Sequence, residues 1–292
     1  MKSFDLAEPA TLDEAIALLD SQDRSVRAIA GGTGLMLMMK TRLFQPRRLV
    51  SLRRLNGDLR SIRVNDGGGL RIGAMTSLAE LEYSPLFAGA CPVMSRALRT
   101  LSNIRIRNVA TLGGHLAHGD PHMDLPPILL TLGASISAVS VRGQRWIDVS
   151  DFFVGYYQTS LARDELITAV DVAGQPHGVY CWYEKFTARS ADDWPTVGVA
   201  VWYSADSNVI TEARIAVSAA TERPMRVASA EAALLNAAPA PHAFSRAADA
   251  AADEVRPIAD LHGSASYKRE MVRVHVRRAL EHASNSRPNG VG

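Results

Sequence analysis

The sequence predicts an α+β protein in which a bipartite α/β domain is followed by an α+β domain with an antiparallel sheet and helices. Residues 1–57 and 58–176 each alternate helical and strand-like stretches around a glycine-rich segment. From residue 177 the order changes, with strands first and Ala-rich helices afterwards. Loop-forming residues at 174–178 separate the two parts. We therefore expect units at residues 1–57, 58–176 and 177–285, and a tail at residues 286–292.

Length and composition are those of an ordinary globular protein. The chain has 292 residues, of which 47% are hydrophobic, enough to bury sizeable cores in two or three units. Its 32 Lys and Arg against 30 Asp and Glu give a formal net charge of +2, so charge provides no reason to expect a nucleic-acid partner. Neither a signal sequence nor a window approaching the ~18 apolar residues of a membrane span is evident, and we expect a cytoplasmic protein.

The first unit is predicted to begin with a capped helix and to contain a glycine-rich turn. Thr11 and Glu14 have the spacing of a capping box. The run Ala30-Gly31-Gly32-Thr33-Gly34 follows a strand and precedes an apolar helix. The expected elements are a helix at residues 12–19, a strand at 26–30, a helix at 35–40 and a strand at 48–52.

The second unit contains a second glycine segment, Thr111-Leu112-Gly113-Gly114-His115, which we interpret as a loop. The other expected elements are a hairpin of strands at 59–64 and 70–73, helices at 76–82, 91–102 and from 124 onward, and strands at 135–141 and 166–172.

The third unit is predicted as an antiparallel sheet followed by helices, with fraying from Ser284 onward. Its expected strands lie at residues 179–186, 197–203 and 213–219, and its helices at residues 228–238, 243–255 and 266–282.

The two glycine segments favour an anionic ligand. Glycine lets a ligand approach the backbone N–H groups at the start of a helix, where phosphate is favoured. Neither segment matches G-x-G-x-x-G or G-x-x-x-x-G-K-[ST], so a tight strand–helix turn without ligand is the alternative for the first. Together, two such segments suit one long ligand such as FAD, with Asp124 accepting a hydrogen bond from a ribose or ribityl hydroxyl.

Several motifs in one order resemble the FAD-binding medium subunits of molybdenum hydroxylases of the carbon monoxide dehydrogenase and xanthine dehydrogenase type. They are A-G-G-T-x-L from residue 30, I-R-N-V-A-T-L-G-G at residues 106–114, D-L-P-P at residues 124–127 and E-K-F at residues 184–186. The resemblance extends across nearly the whole chain. It implies a bipartite FAD-binding fold of the PCMH type and a C-terminal α+β domain.

The resemblance also implies partners. It predicts an electron-transfer subunit that holds FAD non-covalently between the [2Fe–2S] clusters of a small subunit and an external acceptor. A large molybdopterin-binding subunit would select the substrate, in an αβγ heterotrimer that is often dimerised. The cysteine content agrees, because Cys91 and Cys181 lie outside any CxxC pattern and cannot supply the four thiolates of a cluster.

By the same resemblance, both glycine segments surround the pyrophosphate, Ile167 packs near the isoalloxazine ring and Lys185 lies at its polar edge. Trp194 is predicted to present an aromatic face to the flavin, with a surface or interface tryptophan as the alternative. The family commonly has Asn where this chain has His115, so only the backbone role carries over there. The predicted cofactor-binding residues are Ala30, Gly31, Gly32, Thr33, Gly34, Thr111, Gly113, Gly114, His115, His118, Asp124, Ile167, Lys185 and Trp194.

Two other functional classes are alternatives to this interpretation. A self-contained FAD-dependent oxidase would need its own substrate pocket, and the sequence shows no evident substrate base. A metal-dependent hydrolase would use His115, His118 and His122, which are spaced as on a helix. Gly119 and Pro121 interrupt any helix there, so we predict no metal site.

Overall fold

The computed structural model describes residues 2–19 and 22–286 and has the predicted α+β architecture. The strands are β1 (Asp5–Ala7), β2 (Val26–Ile29), β3 (Arg48–Ser51), β4 (Ile62–Val64), β5 (Leu70–Gly73), β6 (Ser135–Ser140), β7 (Gly143–Asp148), β8 (Phe153–Gly155), β9 (Gln158–Thr159), β10 (Leu166–Val172), β11 (Val179–Phe186), β12 (Val197–Asp206), β13 (Val209–Ser218) and β14 (Met225–Arg226). The α-helices are α1 (Leu12–Ala17), α2 (Thr33–Lys40), α3 (Leu78–Tyr83), α4 (Pro85–Ala90), α5 (Pro92–Leu98), α6 (Ile104–Arg107), α7 (Leu112–His118), α8 (Leu125–Leu132), α9 (Val149–Phe152), α10 (Ala228–Leu234), α11 (Pro241–Glu254) and α12 (Ala265–Asn285).

The N-terminal unit is a parallel three-stranded sheet in the order β1-β3-β2. The Thr11 and Glu14 capping box is present at the start of α1. Helix α2 begins at Thr33, two residues before the predicted start. It begins there because Gly32 is its N-cap with φ of 72°, a left-handed conformation that favours glycine.

The second unit is a five-stranded antiparallel sheet in the order β4-β5-β10-β6-β7. The predicted helix at 91–102 is shorter, because α5 ends at Leu98 and Ser102 has a φ of 53°. The loop predicted at the second glycine segment is wrong, since Leu112–His118 is helical with Thr111 as its N-cap. Part of the strand predicted at 59–64 is a 3₁₀ helix, Gly57–Arg60.

A buried arginine fixes the chain just before the second glycine segment. The Arg107 guanidinium is 8% exposed and donates to the Glu82 carboxylate at 2.7 Å. It also donates to the carbonyl oxygens of Leu101 and Ser102. These bonds fold the turn that leads into α6 and α7.

The C-terminal unit is an antiparallel sheet in the order β11-β12-β13-β14. Alternate residues of β12 face opposite sides. Val199 and Val201 pack on the core that contains α10, α11 and α12, whereas Ala200 and Trp202 belong to the core of the preceding unit. The sheet therefore lies between its own helices and the second unit.

Helix α12 continues through Asn285, so the predicted fraying is wrong for Ser284 and Asn285. The remainder of the predicted tail, from residue 287, lies outside the described residues. Among the described helices, none combines the length and apolar character that crossing a membrane requires.

Candidate functional site

The two glycine segments are in direct contact. A methyl group added to Gly31 would lie 1.9 Å from the Val109 carbonyl oxygen, so only glycine permits this approach. On Gly34 it would lie 2.8 Å from Nε2 of His118, and on Gly114 3.5 Å from Cβ of Ala30. The sequence reasoning placed a ligand between two separate loops, whereas the structure joins them into one surface.

The first glycine segment presents unpaired backbone donors. Helix α2 has no side-chain cap, and its first intrahelical bond runs from Met36 N–H to the Gly32 carbonyl. Within residues 2–19 and 22–286, no group accepts from the N–H groups of Thr33, Gly34 and Leu35. Three adjacent free donors at the positive end of an eight-residue helix favour an anionic group.

The second glycine segment does not share this property. The N–H groups of Leu112 and Gly113 donate to the Thr76 and Ala74 carbonyls, and that of Gly114 donates to the Thr111 hydroxyl. The expectation that both segments offer free N–H groups is therefore wrong for the second. Its glycines serve close packing, because a methyl group on Gly113 would lie 2.6 Å from Cβ of Ala74.

His115 is a buried side chain with an unpartnered nitrogen. It is 6% exposed, and no described group bonds its Nε2. Burial, with smaller effects of His118 and Lys185, lowers the pKa of His115 to about 3. Its imidazole is consequently neutral at physiological pH. A neutral ring with a free nitrogen beside the glycine surface can form one hydrogen bond with a ligand.

His118, at the end of α7, packs between the first glycine segment and Tyr157. Its ring meets that of Tyr157 edge-on, with centroids 5.2 Å apart. Burial lowers the pKa of His118, and the nearby Arg27 acts in the same direction. Two predicted cofactor residues on α7 therefore carry neutral rings.

Asp124 and Lys185 form a buried ion pair between the second and third units. The Lys185 ammonium lies 3.3 Å from the Asp124 carboxylate and donates to the Thr100 carbonyl at 2.9 Å. The Tyr183 hydroxyl donates to the other Asp124 oxygen at 2.8 Å. Burial raises the pKa of Asp124 although Lys185 and Tyr183 oppose this rise. Sequence reasoning missed Tyr183, which contacts Asp124 only through the fold.

A second polar group lies on the same connecting segment. His122 contacts Asp120 through Nδ1 at 2.9 Å and Asp260 through Nε2 at 3.1 Å. Lys268 donates to Asp260 at 2.6 Å, and Tyr157 donates to Asp120 at 2.7 Å. The histidines of the hydrolase alternative therefore have different neighbours. In the described part of the chain, no group of three or more His, Cys, Asp or Glu side chains is arranged to hold a metal ion.

Two predicted cofactor residues, Ile167 and Trp194, take no part in the hydrogen bonds and ion pairs described above. Ile167 is 8% exposed and belongs to the core around β10. Trp194 is 45% exposed and its ring lies 6.4 Å from that of His122. The prediction that Ile167 and Trp194 adjoin the flavin stays a prediction.

Comparison with known proteins assigns this arrangement to a family. Residues 2–173 match the FAD binding domain in molybdopterin dehydrogenase, and residues 182–283 match the CO dehydrogenase flavoprotein C-terminal domain. The chain belongs to this family. It is thus an FAD-binding subunit of an oxidoreductase, and the suspected resemblance is confirmed.

Relatives of this FAD-binding family match nearly the full chain. The nicotine 6-hydroxylase medium subunit of Paenarthrobacter nicotinovorans is 39% identical over 95% of this chain and 96% of its own. Carbon monoxide dehydrogenase from Hydrogenophaga pseudoflava superposes with a TM-score of 0.93 at 34% identity, covering 97% of this chain and 98% of its own. Quinoline 2-oxidoreductase from Pseudomonas putida 86 gives 0.90 at 29% identity, over 97% and 98%.

Lys185→Met should destabilise the FAD subunit by about 3–5 kcal/mol, because the 4% exposed Asp124 then keeps a buried charge without its partner. The loss should be smaller at pH 5 than at pH 8, since protonation of Asp124 removes that charge. Urea unfolding at both pH values measures it. Asp124→Asn combined with Lys185→Met should recover much of the loss, and equal stability of wild type and Lys185→Met would contradict the assignment.

His115 should make the folded protein sensitive to acid. Its pKa in the fold, about 3, is below the unfolded value of 6.5, so its contribution is complete above pH 6.5 and is lost as the pH falls towards 3. The expected slope from this group is about 1.4 kcal/mol per pH unit. His115→Asn should flatten the curve of unfolding free energy against pH in that range, and parallel curves would refute the neutral buried state.

Proposed function

We propose that this chain is the electron-relaying subunit of a molybdenum-containing hydroxylase, passing electrons from the [2Fe–2S] clusters of a partner subunit through non-covalent FAD to an external acceptor. The observation that carries the proposal is the row of free N–H groups at Thr33, Gly34 and Leu35, next to the glycine contact with α7. This arrangement suits the pyrophosphate of a dinucleotide. The family match supplies the identity of that dinucleotide.

We propose that the units at residues 1–57 and 58–176 hold the cofactor together. Residues 30–34 would bind the pyrophosphate, whereas residues 111–115 and His118 would form the adjoining wall. His115 supports this proposal, since its unpartnered Nε2 is a buried polar atom that a ligand would satisfy. Bound FAD would supply the redox chemistry, and the chain would orient it and limit its contact with water.

Asp124 and Lys185 are proposed to lie at the sugar and the polar edge of the flavin, with Ile167 and Trp194 against the ring. Both Asp124 oxygens already accept a hydrogen bond, and Lys185 is paired with that carboxylate. Because the pair has no net charge, we expect its influence on the flavin potential to be smaller than that of an isolated lysine. The main role of the Asp124–Lys185 pair would be to orient polar groups beside the flavin.

The named relatives support the proposed partners. One is called a medium subunit of nicotine 6-hydroxylase, and the carbon monoxide dehydrogenase is described as lacking the Mo-pyranopterin moiety of its molybdenum cofactor. We propose a large molybdopterin-binding subunit and a small [2Fe–2S] subunit for this chain as well. Both its cysteines are buried and free, which agrees with clusters on another chain. The cytoplasmic location stays a prediction.

Thr33→Asp should weaken FAD binding about tenfold or more, because a carboxylate would face the pyrophosphate. Thr33→Asn has nearly the same shape without the charge and should bind FAD close to the wild-type level. Acidic residues are favoured in the first turn of a helix, so Thr33→Asp should not lower the melting temperature. Flavin fluorescence titration measures the affinity, and equal affinities of both variants would exclude this segment as the pyrophosphate site.

Purification from the native source should yield this chain with two further subunits, one containing iron and sulfide and one containing molybdopterin. Metal analysis and the visible spectrum of the complex give the readout. A fully active oligomer of this chain alone, without iron or molybdenum, would refute the proposed electron path.

A further inference from the structure

A partly buried cluster of charged and polar side chains lies outside the residues predicted to bind the cofactor. We call Asp120, His122, Asp260, Lys268 and Tyr157 the Asp120 cluster. Asp120 and Lys268 are fully buried and His122 is 7% exposed. The cluster joins the segment after α7 to the C-terminal unit. Asp260 precedes α12, and Lys268 lies within it.

The cluster continues to the first glycine segment through side-chain contacts. The Tyr157 hydroxyl donates to Asp120, and the Tyr157 ring packs edge-on against His118 at 5.2 Å. His118 in turn covers Gly34, with Nε2 only 2.8 Å from where a Cβ on Gly34 would stand. An unbroken row of contacts therefore runs from Lys268 to the free N–H groups of α2.

The geometry around His122 is that of an imidazolium. Its Nδ1 faces Asp120 at 2.9 Å and its Nε2 faces Asp260 at 3.1 Å. A neutral imidazole has one N–H, so one nitrogen would then point a lone pair at a carboxylate. Two protonated nitrogens satisfy both contacts, and His122 and Lys268 together balance the two carboxylates.

We infer that His122 is a positioning residue for the cofactor: its imidazolium fixes Asp120, and through Tyr157 and His118 the surface next to Gly34, and cancels negative charge beside an anionic ligand. The inference rests on the proposed function of the first glycine segment. Without the His122 proton, the Asp120 cluster has a net negative charge and one broken contact.

The charged and titratable groups that face His122 determine its protonation state. Burial disfavours its protonation, but the hydrogen bonds of Asp120 and Asp260 and the charge of Asp120 outweigh burial and raise the pKa of His122. Lys268 acts in the opposite direction. The groups around the ring and its two carboxylates are Asp120, Asp260, Lys268, His262, Tyr156, Tyr157, His118 and His115.

Linkage makes the inference measurable. If protonated His122 favours the cofactor-binding arrangement, FAD binding and proton binding must strengthen each other by the same factor. The FAD dissociation constant of the wild type should rise about tenfold between pH 6 and pH 9. Stability has the same sign, because a raised pKa contributes below the unfolded value of 6.5 and is lost as the pH rises through the folded value.

His122→Gln tests the role directly. It should weaken FAD binding about tenfold at pH 6 and about twofold or less at pH 9, which removes the pH dependence. Asp260→Asn should keep the dependence but move it to lower pH, since the imidazolium loses one carboxylate. The matched control is His275→Gln, because His275 is also buried, at 3%, and lies 3.5 Å from Glu184 without contacting the Asp120 cluster.

The outcomes separate this inference from the proposed function. A wild type that binds no FAD would refute the proposed function itself. A wild type that binds FAD, with an unchanged affinity and pH profile in His122→Gln, would overturn the role of His122 alone. If His122→Gln does not fold, NMR titration of the wild-type His122 ring decides instead: saturation with FAD should raise its pKa by about one unit, and no shift would overturn the inference.

Discussion

The proposed cofactor surface depends on one close backbone contact, between Gly31 and the carbonyl oxygen of Val109. A side chain at position 31 would push the two glycine segments apart. The core of the N-terminal unit also depends on contact with the second unit. Leu166 on β10 completes this core, and Leu59 and Val139 pack against it. The small three-stranded sheet therefore shares its core with the second unit. The first two predicted units therefore share one core, and their junction is the surface proposed to face the ligand.

The segment from Gly119 to Asp124 connects this body to the C-terminal unit through buried charges. Asp124 contacts Tyr183 and Lys185 on β11, whereas His122, which is bonded to Asp120, contacts Asp260. Buried ion pairs add little net stability, since desolvation offsets much of their attraction. Their directional bonds instead exclude other relative placements of the two units. Apolar packing of Trp202 and Ala200 against the second unit then provides the bulk of the cohesion.

Local sequence signals predicted local structure. They failed where the structure depends on contacts between residues that are far apart in the sequence. The capping box of Thr11 and Glu14 was predictable because its two residues lie three positions apart, and the strands were predictable from their local composition. The helix at Gly113 and Gly114 was not, because its glycines are required for close packing against Ala74, which is distant in the sequence. Nor does any pattern reveal that Tyr183 bonds Asp124, 59 positions away, or that His122 bonds Asp260, 138 positions away. The glycine segments were recognisable as motifs, but the division of tasks between them was not.

The three histidines near the glycine segments show how the same side chain acquires different charges. His115 and His118 lie on α7 among groups that offer them no carboxylate hydrogen bond, so burial lowers the pKa of each and leaves a neutral ring. His122 is also buried but has a carboxylate at each nitrogen, which raises its pKa and favours the charged form. The neutral rings can then adjoin a ligand, while the charged ring neutralises carboxylates one layer further away. An anionic dinucleotide would consequently meet free N–H groups and neutral rings, with the nearby acidic groups already paired.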